Sequence, residues 1–171
     1  MEAPDAEPSD TSSDTGPDTV TPANEDQAAI LGVPVKESWT IPGLTAEASV
    51  VRTEASIPHL YAKTLPDLGR IAGFTVARDR FFFMDLVRRL GRGKISELLG
   101  DAGLNQDLEA RFFGQTAVAD RMYANLSPEL KAYFEGVAAG VNAYIDAVKA
   151  SKLPAPSELA LAGPLLGKTD P

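Results

Sequence analysis

The sequence predicts an α+β chain that is mostly helical and carries one β-hairpin. Three observations predict it. Residues 78–100, RDRFFFMDLVRRLGRGKISELLG, form a helical run in which Phe81, Phe82 and Phe83 sit among arginines. A second long helix announces its start with Ser127, Pro128 and Glu129, an N-cap, a first-turn proline and a first-turn acid. Between them in type, ASVVRT (48–53) and IPHLYAK (57–63) are rich in strand formers and flank a turn near residues 54–56.

The elements follow in order. Residues 1–27 are Asp, Glu, Ser, Thr, Pro and Ala with almost nothing large to bury, so they read as a disordered acidic linker. Residues 28–45 interleave Ile30, Leu31, Val33, Val35, Trp39 and Ile41 with prolines, an extended arm whose apolar side chains dock on a larger body. Residues 46–171 form the helical domain with its hairpin. Pro58 belongs at a strand start or on an edge, because it cannot donate a ladder hydrogen bond.

Thr64 caps a helix with Pro66 and Asp67 in its first turn, running to about Leu90 and stopping at Gly91 and Gly93. Gly69, Gly73 and Ala77 recur every four residues and share one face, which lets another backbone come close. Phe81, Phe82, Phe83 and Met84 point all round the axis, the mark of a buried helix. Short helices are expected at 94–99, 107–114 and 117–126. The helix after Ser127 runs to about 149–151 with an apolar stripe of Leu130, Phe134, Val137, Val141, Tyr144 or Ile145, and Val148. Ala132, Gly136 and Gly140 form its second, small-residue ridge, and 153–171 read as a loop-rich, apolar exit segment.

Charge and composition narrow the function. The net charge of −8 lies wholly in residues 1–30, which hold eight acids and no Lys or Arg; the remainder balances 16 acids against 16 bases. A neutral body lacks the positive field that nucleic acid or an anionic membrane selects. The basic run fits neither binder, since Asp79 and Asp85 interrupt it and Arg78, Arg80, Arg88 and Arg89 scatter around the wheel. Burial within protein is the better reading. There is no cysteine, which excludes disulfides, thiolate metal sites and a cysteine nucleophile on this chain. No run reaches the ~20 apolar residues of a membrane span. Met1 followed at once by the acidic segment reads as a start placed after a removed leader.

The catalytic inventory is thin. His59 is the only histidine, and beside Pro58 it reads as a hydrogen-bonded structural residue. No G-x-S-x-G, P-loop, G-x-G-x-x-G or EF-hand pattern occurs. Asp79, Asp85, Glu97, Asp101 and Asp107 offer carboxylates, but their interleaving with arginines points to ion pairs. No catalytic, substrate-binding or metal residue is assigned on this chain.

Residues 50–100 resemble the opening of the α chain of the penicillin amidase family, which includes penicillin acylases and acyl-homoserine-lactone acylases. The resemblance rests on Val51 and Arg52, on Pro58, His59 and Leu60, and on Ala77, Asp79 and Arg80. It continues through Arg88, Arg89, Gly93 and the Ser96–Gly100 run SELLG. LSPELKAYFEGVAAGVNAYIDAV (126–148) is similar to the family's next helix. Thr53 and Ser56 stand where the family usually has Asp and Gly, so the hairpin turn is expected to be built differently.

The resemblance implies an N-terminal nucleophile hydrolase with a four-layer αββα core, made as a precursor that cuts itself into α and β chains. The implied nucleophile is the Ser, Thr or Cys that opens the β chain, with its own α-amino group as base and an oxyanion hole on the β chain. On this view the chain is the non-catalytic α chain of a periplasmic or extracellular acylase, with a lipid anchor allowed. It acts on a small acyl-amide substrate, and structural calcium is expected mainly from the β chain. The sequence reaches Thr169, Asp170 and Pro171 before the W-x-P-x-D-like segment that precedes the family's pocket and calcium helix. From the residues alone a second reading stays open, a non-enzymatic helical interaction module tethered by its acidic tail.

Overall fold

The computed structural model describes residues 33–53 and 55–158. The acidic linker, the start of the arm and the segment after 158 lie outside the described residues. The chain divides into two units, Met1–Lys36 and Glu37–Pro171; of the first only residues 33–36 are described, and there Val33 and Val35 are exposed.

The second unit begins with residues 37–48 and then a hairpin. Strand β1 (Ser49–Arg52) pairs antiparallel with β2 (Pro58–Tyr61), Arg52 opposite Pro58 and Val51 opposite His59. Pro58 is the first residue of its strand, where its missing N–H costs least. Among the described residues five helices follow: α1 (Leu65–Gly91), α2 (Ser96–Leu99), α3 (Leu104–Phe112), α4 (Gln115–Ala124) and α5 (Pro128–Lys149), with a 3-10 turn at Gly100–Gly103. The described residues are mostly helical with a two-stranded sheet, as the patterning predicts.

The two long helices start where their sequence signals place them. Thr64 accepts from the Asp67 amide (3.2 Å), and Ser127 accepts from the Leu130 amide (3.3 Å). The helices lock together through glycines on both sides. A Cβ added at Gly69 or Gly73 would stand 2.2 or 2.1 Å from the carbonyl oxygens of Tyr133 or Val137 on α5. One added at Gly136 or Gly140 would meet the oxygens of Pro66 or Arg70 on α1 at 2.4 or 2.0 Å. The contact is backbone against backbone, and Ala77, 0 % exposed, continues it.

Beside this seam lies a small core of Phe74, Ala77, Tyr144 and Leu153, with Ile41, Phe81, Met84 and Val141 against it. Its aromatic rings pack at angles: Phe74 meets Tyr144 edge-on at 6.2 Å, and Trp39 and Phe81 extend the cluster at 6.3 and 5.9 Å. The Arg78 guanidinium lies 5.0 Å from the Trp39 ring centroid and pairs with Glu37 (2.6 Å), which also accepts the indole N–H.

Two expectations are corrected. Helix α1 is not buried all round within this chain: its buried residues end at Ala77, Phe81, Phe82 and Met84 are half-buried, and Phe83 is 64 % exposed. The axis also breaks at Arg80 (φ −145°, ψ 36°). On α5, Leu130 and Phe134 of the apolar stripe are exposed, while Gly136, Gly140 and Tyr144 are buried. The small-residue ridge wins the contact with α1 because it admits the closer approach, and the stripe is turned partly away.

Candidate functional site

Each carboxylate weighed as a catalytic candidate has a definite place. Asp79 is held by both oxygens on one Arg52 nitrogen (2.8 and 2.7 Å), which ties the hairpin to α1 one residue before its break. Asp85 bonds Arg88 and Arg89 (2.5 and 2.7 Å); burial opposes its charge, but the two guanidiniums hold its carboxyl below the usual range. Glu97 pairs with Arg89 and Lys94, and Asp101 is exposed in the 3-10 turn. Asp101 apart, these are ion pairs, and the two carboxylates that share a partner, Asp85 and Glu97, are bridged by the Arg89 guanidinium.

Asp107 is different. It is 2 % exposed and accepts from the Ile95 amide (2.6 Å), the Ser96 amide (3.0 Å) and the Ser96 hydroxyl. Burial alone would favour its neutral form; the Ser96 hydroxyl, the two amides and Arg111 outweigh that and lower its pKa. It is a cap supplied from α3 to the start of α2, where an ion pair was expected. The neighbouring Arg111 donates twice to the Gly93 carbonyl (3.1 and 2.9 Å), closing the same junction.

The sequence marks Asp67 only as a first-turn acid, yet it is the more deeply buried carboxylate, 1 % exposed. It accepts from the Thr45 hydroxyl (2.6 Å) and the Thr45 amide (3.1 Å), and those bonds lower its pKa. A threonine 22 residues upstream gave no local signal for this contact. Among the described residues no three His, Asp or Glu side chains meet to hold a metal ion. The two buried carboxylates, the best oxygen donors for calcium, are already filled by amide and hydroxyl donors. The described residues therefore do not fit a calcium site. His59, read from the sequence as hydrogen-bonded, is exposed on β2 and its side chain meets no hydrogen-bonding partner among the described residues.

The chain's distinctive surface is apolar. On α3, Leu104, Leu108 and Phe112 stand at four-residue intervals on the side opposite the buried Ala110, all exposed, Phe112 by 85 %. On α1, Phe83, Val87 and Leu90 make a second uncovered stripe. Helix α4 buries no residue at all, and is tied to α5 through Tyr123 to Glu135 (3.0 Å) and Lys131 to the Ala124 carbonyl (2.9 Å). Two helices thus carry apolar stripes left exposed by the described residues. No helix among the described residues is long and apolar enough to cross a membrane.

Comparison with known proteins gives a consistent result. The family model described as penicillin amidase matches residues 47–168. Penicillin acylase 2 proenzyme of Pseudomonas sp. (strain SE83) is 38 % identical over 130 residues, which is 76 % of this chain and 16 % of that protein. Penicillin G acylase of Escherichia coli is 35 % identical over 114 residues, 64 % of this chain and 14 % of that protein. Acyl-homoserine lactone acylase QuiP of Pseudomonas aeruginosa is 33 % identical over 105 residues, 61 % of this chain and 12 % of that protein. Among solved structures, a thermostable penicillin G acylase from Alcaligenes faecalis superposes with a TM-score of 0.62 at 31 % identity, covering 68 % of this chain and 62 % of that one. The chain thus spans 12–16 % of the length of these curated relatives.

Proposed function

The chain belongs to the penicillin amidase family, and from that premise we propose that it is the non-catalytic α-chain part of an acylase. The enzyme hydrolyses the amide of a small N-acylated substrate, penicillin-like or acyl-homoserine-lactone-like, as the names of its relatives suggest. Its nucleophile opens a separate β chain cut from the same precursor, and one relative is named a proenzyme. The α-amino group of that residue takes the hydroxyl or thiol proton as the nucleophile attacks the carbonyl, and returns it to the departing amine. Water then releases the acyl group. The two chains together complete a four-layer αββα core, periplasmic or extracellular, with any structural calcium held by β-chain groups.

One observation carries the role assigned to this segment. Its buried carboxylates are all engaged in holding its own backbone, while its apolar helix faces have nothing against them among the described residues. Such a segment supports a site and does not supply one. The test is to produce the complete reading frame and determine the mass and first residue of the chain that co-purifies. A partner opening with Ser, Thr or Cys, and hydrolysis of a phenylacetyl or fatty-acyl amide lost when that residue is replaced, is the expected result. A lone polypeptide with no amidase activity would instead favour the tethered interaction module.

A further inference from the structure

The hairpin carries an edge that the rest of the chain leaves open. Thr53 donates its amide to the Ile57 carbonyl (3.3 Å), and the register runs from there through Arg52–Pro58, Val51–His59 and Val50–Leu60. Antiparallel pairs alternate between those that bond each other and those whose main-chain groups face outward. Val51–His59 and Ser49–Tyr61 are therefore the bonded pairs. Val50 and Arg52 on β1, and Pro58 and Leu60 on β2, turn their N–H and C=O groups to the outside.

The two edges are not equivalent. Pro58 has no N–H, so the outer edge of β2 lacks one of its two donors, a common way of blunting an edge. The same strand lies along α1. The edge of β1 keeps both donors and both acceptors, and no backbone group of another described residue bonds them. Val50 is exposed as well. The Arg52 side chain, gripped by Asp79 and donating to the Ser56 carbonyl (3.2 Å), fixes this edge relative to α1. A lone two-stranded hairpin is marginal in water, so a rigidly mounted one with one complete edge is built to be extended.

We infer that the outer edge of β1 receives a β-strand from the remaining polypeptide of the same precursor, bonded through the main chain of Val50 and Arg52. The segment spans only 16 % of its proenzyme relative, so most of the folded protein lies outside it. This inference rests on the reading above. It narrows the contact between the parts from apolar packing to a shared sheet.

Residue-resolved amide exchange on the mature protein from the complete reading frame tests it. The Val50 and Arg52 amides are expected to exchange within about tenfold of Val51, whose N–H lies inside the hairpin ladder. Fast exchange at Val50 and Arg52 beside a slow Val51, in a protein that has assembled, overturns the strand and leaves the acylase reading standing. Absence of any partner chain overturns both. Protection arising in an assembly whose mass holds two copies of this segment also overturns it. Substitutions separate backbone from side chain: Val50→Pro should lower the yield of assembled protein at least about tenfold, and Val50→Ala by no more than about twofold. Equal losses would mean side-chain burial and not strand addition.

Discussion

Asp67 and Asp107 are the most deeply buried charges of the described chain, and both serve amides from other parts of the sequence. Their folded pKa values lie below the ordinary 3.8, so each contributes stability that is complete above that value. The contribution is lost as pH falls through the lowered folded values. The thermal midpoint of the mature enzyme should therefore drop steeply below about pH 4, and Asp107→Asn should lower it at neutral pH and flatten the acid limb. A midpoint profile from pH 3 to 7 checks both. Ser56 adopts φ +58°, where the family usually has glycine, and its amide bonds the Thr53 carbonyl at 2.8 Å. Serine here takes a left-handed conformation that glycine would adopt without strain. Ser56→Gly should stabilise the protein by up to ~1 kcal/mol, seen as a higher denaturant midpoint.

At the scale of elements, the caps and the small-residue spacing were legible because each is local. Thr64 and Ser127 announce helix starts within four residues, and glycines four apart declare a close approach. Which face of α5 meets α1 was not legible. That helix offers an apolar stripe and a small ridge, and nothing local says that the ridge faces this chain while Leu130 and Phe134 face elsewhere. The Thr45–Asp67 and Ile95–Asp107 contacts were hidden for a related reason: they join residues 22 and 12 apart without a shared motif. The glycine seam gives a sharp test. Gly73→Ala and Gly140→Ala should each destabilise by about 3 kcal/mol or more, since the new Cβ meets a carbonyl and neither helix can retreat. Gly91→Ala, with open space around it, should be neutral or gain up to ~1 kcal/mol of helix propensity. Thermal melts of the three variants decide the matter.

At the scale of the molecule, the sequence disclosed the family, but read Phe81–Met84 as buried without showing by what. Half of that answer lies within the chain, where Phe81 packs on Tyr144; the other half is the exposed Phe83 stripe. Under the proposed assembly, Phe83→Asp and Phe112→Asp place a charge in the contact with the remaining polypeptide. Each should lower recovery of the assembled enzyme on the order of tenfold or more. The activity per assembled molecule should stay near that of the parent, because neither residue supplies chemistry. Active-site titration alongside total yield separates the two quantities.

The interlocked glycines also constrain how this gene can change. Every single-base change in a glycine codon that alters the residue adds at least a β-carbon, and at Gly69, Gly73, Gly136 and Gly140 that atom has nowhere to go. No neighbouring substitution can make room, because the obstacle in each case is a main-chain oxygen, common to all residues. The four codons have no permitted single-step neighbours that change the residue. Drift, and any directed-evolution library, will find its tolerated diversity on the outward faces of these two helices.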